Sequence, residues 1–309
     1  MTLLITIIPS IAILLYFVFS DKFKEPRKII IITFLFGILI TIPAGYLNDY
    51  IFEVFSNKNK VNNALLGGFF AGGLVEETLK FLVLYFYVLK EKAFNEPMDA
   101  IVYGVVVSLG FATLENYDYV FRLAEQYKMQ PMDLAIIRAF TAIPMHALCG
   151  VIMGFYFGMY AFVSGGKNLG LALIVPYIFH GTYNFLCYFP PYYIFVVFIL
   201  LVFSYFLHKN VKETQKMKKI RFPEKERPSR DQIASLHSAR MVNKDEDDIS
   251  SAECADQIGV EMIYEIMNNS YSPTPCIDVS TTKDELLFMN IADKENLPKK
   301  KGVHQKSWF

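Results

Sequence analysis

The sequence predicts an all-α fold: a polytopic membrane helix bundle of about seven transmembrane helices, followed by a mostly disordered soluble C-terminal tail. Three observations predict it. Hydrophobic residues make up 53% of the 309 positions, and they are concentrated before His208. There they form apolar runs of about 20 residues, long enough to cross a bilayer as helices. The chain beyond is charge-dense and broken by Pro and Ser, a composition too polar to bury a core. The domain boundary therefore falls near 208, with a transmembrane domain over 1–208 and a cytoplasmic polar tail over 209–309.

The expected crossings are 3–20, 28–52, 65–88, 98–119, 134–162, 169–189 and 192–207. The first lacks a basic n-region and a small-residue cleavage site, so it reads as a retained helix rather than a signal peptide. The third opens on Gly67, Gly68, Ala71, Gly72 and Gly73, small residues that let membrane helices approach closely, and is expected at the centre of the bundle. The fifth is long, with a kink expected at Pro144; Pro176 should bend the sixth. Pro190 and Pro191 join the last two in a tight hairpin. In the tail, 209–221 is basic, 244–248 is a solvated acidic run, and 255–267 is weakly amphipathic.

Loop charges set the expected orientation. Lys22, Lys24, Arg27 and Lys28 lie in the first loop, Lys90 and Lys92 in the third, and Lys167 in the fifth. Lys209, Lys212 and Lys216 open the tail. The opposite loops carry few such residues, which places the N-terminus outside and the C-terminus in the cytoplasm. A formal net charge of zero argues against a nucleic-acid partner. Cys149, Cys187, Cys254 and Cys276 form no CxxC pair and no disulfide framework.

Four successive spans carry polar groups at depth. These are Glu76, Glu77 and Lys80; then Glu115; then Arg138 and His146; then His180 and Asn184. A charge at a helix centre costs roughly 2.5–3.5 kcal/mol on insertion scales, so such groups are expected to be partnered and used. Lys80 is i,i+4 from Glu76 and i,i+3 from Glu77, within reach of either. The adjacent acids point about 100° apart, so one can be held by Lys80 while the other faces elsewhere. His180 and Asn184 are i,i+4 and share a face.

One shared interior site built from these groups suits hydrolysis. Cutting a peptide bond needs an activated water, an oxyanion donor and a proton for the leaving amine. Glu115, His146 and His180 can also form the two-His, one-Glu shell of a catalytic zinc ion, with Glu76 as base. Two other classes stay open. Buried Glu, Lys and His serve as relays in proton-coupled transporters, although no repeated half with broken helices is evident. A non-catalytic protein that binds membrane helices is the third.

Glu76-Glu77-x-x-Lys80, Phe111-x-x-x-Glu115, His146 and His180-x-x-x-Asn184 occur in this order on successive helices. In this the chain resembles the PrsW family of intramembrane proteases, within the superfamily of CAAX prenyl proteases and bacteriocin-processing enzymes. The likeness covers 67–186. It implies a multi-pass peptidase of the bacterial inner membrane, of metallo- or glutamic type, cutting a membrane-anchored protein such as an anti-sigma factor in the extracytoplasmic half of the bilayer. It implies Glu76 as base, Glu77 as partner of Lys80, and His146 and His180 in the site. Zinc is the cofactor to be tested; the expected partners are a membrane-embedded protein substrate and the lipid bilayer. Lys80 stands one position before the Arg of the CAAX enzymes, and Glu115 stands where they have His. Both differences point away from prenyl-protein processing.

Overall fold

The computed structural model describes residues 1–162 and 166–216, with side chains described as far as 213. The expectations for the tail, and the tail's share of the two-domain division, lie outside the described residues. Those residues are helical, with no strand among them. The helices are α1 (Thr2–Ser20), α2 (Arg27–Phe55), α3 (Lys60–Leu65), α4 (Glu77–Phe86), α5 (Pro97–Asp118), α6 (Pro131–Phe140), α7 (Ala142–Phe162), α8 (Gly166–Cys187) and α9 (Tyr193–Lys216).

Among the described residues, six helical segments are long and apolar enough to cross a membrane. The third expected crossing is present as a composite. Helix α3 runs into a π-helical stretch over Leu66–Glu76, which runs into α4 without a break. No single piece spans a bilayer, but the continuous helical run from Lys60 to Phe86 is long enough to do so.

The π stretch has a visible cause. In an α-helix, residues five apart do not share a face; in a π-helix, with i→i+5 bonding, they do. Gly68 and Gly73 are five apart, and both abut α8. A Cβ on Gly68 would lie 2.6 Å from the Gly181 carbonyl oxygen, and one on Gly73 would lie 3.0 Å from the Gly181 Cα. The wider turn stacks the two glycines along one line, so the backbones touch where Glu76 enters the interior.

The most enclosed helices are α5 and α7, not the third crossing. The apolar windows of α5 with its continuation to Leu123, of α6 with α7, and of α1 are 83%, 61% and 17% buried. The third crossing turns Phe70, Leu74 and Phe86 outward and buries only its inner stripe, which holds Glu76, Glu77 and Lys80. Helix α5 can be central because it is smooth. Gly104 faces Gly150 and Gly154 of α7, and Gly110 faces Gly37 of α2.

Contacts this close leave no room for a methyl. A Cβ on Gly154 would sit 2.2 Å from the Ala100 carbonyl oxygen, whereas one on Gly45 would meet nothing within 4 Å. Gly154→Ala should therefore cost roughly 1–3 kcal/mol through forced helix separation. Gly45→Ala should be neutral or stabilising by up to ~1 kcal/mol. Thermal melts of the two detergent-purified variants check this; equal melting temperatures would contradict it.

The fifth crossing breaks at Thr141, not at Pro144 itself. Pro144 is the third residue of α7, lacks an N–H, and its ring crowds the carbonyl four residues back, which belongs to Phe140, the last residue of α6. The proline acts upstream of its own position. Helix α8 continues unbroken through Pro176.

Candidate active site

Side chains from the third crossing, α5, α6, α7 and α8 meet at one place inside the bundle. Glu76, Glu77, Lys80, His146 and His180 are each at most 4% exposed. The Lys80 ammonium donates to Glu77 Oε1 at 2.8 Å and to His146 Nδ1 at 3.0 Å, lies 3.8 Å from Glu76 Oε2, and sits 4.4 Å from the centre of the Phe111 ring. The cation therefore has two acids and an aromatic face around it, a setting in which a buried ammonium is tolerated.

The imidazole roles follow from their partners. A carboxylate beside a neutral ring only accepts, so the ring nitrogen facing it donates. His180 Nδ1 donates to Glu77 Oε1 at 2.7 Å, which leaves Nε2 with a lone pair. His146 Nε2 donates to Glu115 Oε2 at 3.0 Å, and its Nδ1 accepts from Lys80. Each histidine is thus oriented by one carboxylate, Glu77 for His180 and Glu115 for His146. The rings stand nearly perpendicular, 4.9 Å apart.

Glu115 is itself fixed. Arg138 donates to its Oε2 at 2.6 Å and to Asn116 Oδ1 at 2.7 Å, and its guanidinium covers the Tyr119 ring at 3.9 Å. Asn116 in turn donates to the Thr6 carbonyl at 2.8 Å, tying the assembly to α1.

Glu76 differs from Glu77 and Glu115 in making no hydrogen bond to a histidine, although Glu77 likewise leaves its Oε2 buried without a hydrogen-bond partner. Glu76 Oε1 is approached by the Asn48 amide at 3.4 Å, but Glu76 Oε2 is buried with no hydrogen-bond partner. His180 Nε2 is also buried and unpartnered. The two atoms face each other at 3.7 Å, too far for a hydrogen bond and close enough to share a third atom. One atom each from Glu76, His146 and His180 lies within 4.8 Å of the others.

Residues 25–208 match the family model described as PrsW family intramembrane metalloprotease. The chain belongs to the PrsW family. It is an intramembrane peptidase and a multi-pass membrane protein. It is 36% identical to a "Protease PrsW" of Geobacillus kaustophilus (strain HTA426), over 58% of this chain and 76% of the relative. Against "Protease PrsW" of Bacillus subtilis (strain 168) the figures are 36%, 58% and 79%. Against that of Clostridioides difficile (strain 630) they are 31%, 71% and 94%. No solved structure matches.

The residues present fit the metal that the family description implies. Two imidazoles and a carboxylate are the donor set of a catalytic zinc site. Two of the donor atoms, Glu76 Oε2 and His180 Nε2, are buried orphans that a cation would satisfy, and the third, His146 Nδ1, is held by the Lys80 ammonium that a cation would displace. The carboxylate in this set is Glu76. The sequence reading put Glu115 there, but Glu115 is held by Arg138 and orients His146, a role that outer carboxylates play around metal-binding histidines.

The structure brings together Glu76, Glu77, Lys80, Glu115, His146 and His180. Asn184 is apart from them. Its amide packs on the backbone of Gly72, where a Cβ would lie 2.2 Å from its Nδ2, and it makes no hydrogen bond among the described residues. Asn48 was missed: it lies near the end of an apolar helix, with no spacing that links it to Glu76. Arg138 was visible as an intramembrane cation but had no assigned partner.

Proposed function

We propose that the chain hydrolyses a peptide bond of a membrane-anchored protein, of the anti-sigma factor class, at the interior site around Glu76, His146 and His180. The observation that carries this reading is the pair of orphaned atoms, Glu76 Oε2 and His180 Nε2, facing each other across 3.7 Å. Leaving two buried polar atoms unsatisfied costs roughly 1–3 kcal/mol each, a cost expected to persist where the atoms are used.

Glu76, His146 and His180 would hold a zinc-type ion. When bound, it supplies Lewis-acid polarisation of the scissile carbonyl and a nucleophile at neutral pH. The chain's own residues do the rest. Glu77 holds the proton on His180 Nδ1, so Nε2 presents its lone pair to the gap. Glu115, braced by Arg138, holds the proton on His146 Nε2, which leaves the Nδ1 lone pair, shared here with the Lys80 ammonium, as the one a cation would draw on. Lys80 balances the charge of Glu77, donating to the same Oε1 that holds His180. Phe111 closes one side against water.

A second reading has one observation in its favour. Lys80 already donates to His146 Nδ1, so the acids have a cation beside them without a metal. Glu76 would then take the proton of the attacking water directly, a glutamic-type mechanism.

The loop charges support an outside N-terminus. In that orientation Glu115 and Arg138 lie toward the outer half of the bilayer, where the cut would fall. The test is reconstitution in liposomes with a single-pass anti-sigma factor as substrate. The wild type should cut it on the outer side of its span and should not carry protons. Proton flux without cleavage would overturn the reading in favour of a transporter.

A further inference from the structure

A second group of acids lies at the other end of α5. Asp99 is about 24 Å along the helix from Glu115. Around it are Asp21 and Glu25 of the loop between α1 and α2, and Glu96, the N-cap of α5. We propose that Asp21, Glu25 and Asp99 form a structural site for a hard divalent cation of the calcium–magnesium class, which ties that loop to the start of α5.

Asp99 is fully buried, and its two oxygens are treated unequally. Oδ2 accepts from the backbone N–H groups of Asn95 at 2.7 Å and Glu96 at 2.9 Å, closing the helix cap. Oδ1 is buried and has no partner. The cap occupies Oδ2, so Oδ1 is the oxygen left to bind a cation.

The spacing suits a cation. One oxygen from each of Asp21, Glu25 and Asp99 lies within 4.8 Å of the other two. Two oxygens bound to one calcium ion at ~2.4 Å lie no farther apart than ~4.8 Å, so this spacing permits a shared ion, and magnesium would need them slightly closer. An all-carboxylate set selects hard ions over zinc.

The second layer is arranged to keep the acids in place. The Tyr103 hydroxyl donates to Glu25, and Asp21 Oδ1 accepts from the Phe23 N–H at 3.0 Å. Lys24 points away: its ammonium donates to the carbonyl oxygens of Val18, Phe19 and Asp21, capping the end of α1.

The test is thermal unfolding of the full-length chain in detergent, stripped with chelator and then titrated with CaCl2 or MgCl2, with KCl at matched ionic strength as control. A saturable rise of roughly 5 °C is expected with one or both divalent salts. The affinity order of the two arms assigns the ion. The same rise should occur in Glu76→Gln, which separates this site from the zinc-type one, and should be absent in Glu25→Gln and Asp99→Asn. Glu25→Gln leaves the helix cap untouched, so it remains informative if Asp99→Asn fails to fold. No rise in the wild type, an equal rise with KCl, or a full rise in Glu25→Gln would overturn the proposal.

Discussion

Glu76→Gln is expected to lower cleavage at least about a thousand-fold while leaving the fold intact, a loss of ~4 kcal/mol of transition-state stabilisation. The two halves of this expectation have different causes. The side chain keeps its shape, and the atom that changes most, Oε2, makes no hydrogen bond that could be lost. One of three closely spaced acids also becomes neutral, which relieves repulsion. What disappears is the charge facing His180 Nε2, needed either to hold a cation or to take a proton. A melting temperature near that of wild type, with cleavage gone, is the expected pair of readouts. Retained cleavage would remove Glu76 from the chemistry.

Lys80→Met should have the largest effect on stability. Glu77 is fully buried and, among the described residues, Lys80 is the one Lys or Arg within 4 Å of it, at 2.8 Å. Removing that cation leaves an uncompensated buried charge, at a cost of roughly 3–5 kcal/mol. The double change Lys80→Met with Glu77→Gln should recover most of the stability, because the lone charge is gone and the Gln oxygen still accepts from His180. It should not recover activity, since an amide orients His180 more weakly than a carboxylate. Glu77→Gln alone should lose roughly 10–100-fold in activity, as such supporting groups do. Paired melts and cleavage rates of the three variants separate charge balance from chemistry. A double variant as unstable as Lys80→Met would show that Lys80 acts through packing instead.

The sequence shows much of this arrangement, for identifiable reasons. Apolar run length marks the crossings because a bilayer demands it. Intramembrane Glu, Lys and His stand out because their desolvation is costly, and the i,i+3 and i,i+4 spacing of Lys80 predicts its pairing with both acids. What depends on a partner helix is not legible. The π stretch needs Gly181 of α8 opposite Gly68 and Gly73; the glycines alone say only that something approaches. Glu115 reads as a metal ligand until Arg138, 23 positions later, is seen to occupy it. Asn184 shares a face with His180, yet the turn that brings His180 to Glu77 sets Asn184 on Gly72. The acids near Asp99 are hidden because the first loop reads as a basic, positive-inside flank.

Metal content of the purified protein, set beside its cleavage rate, tests the central claim most directly. The account predicts about one zinc-type ion per active chain. Ion and activity should fall together in Glu76→Gln, His146→Ala and His180→Ala, and both should survive in Glu25→Gln. Chelation should abolish cleavage and zinc should restore it. A chain that is free of metal and fully active would contradict the ion site and leave Glu76 acting alone as the base.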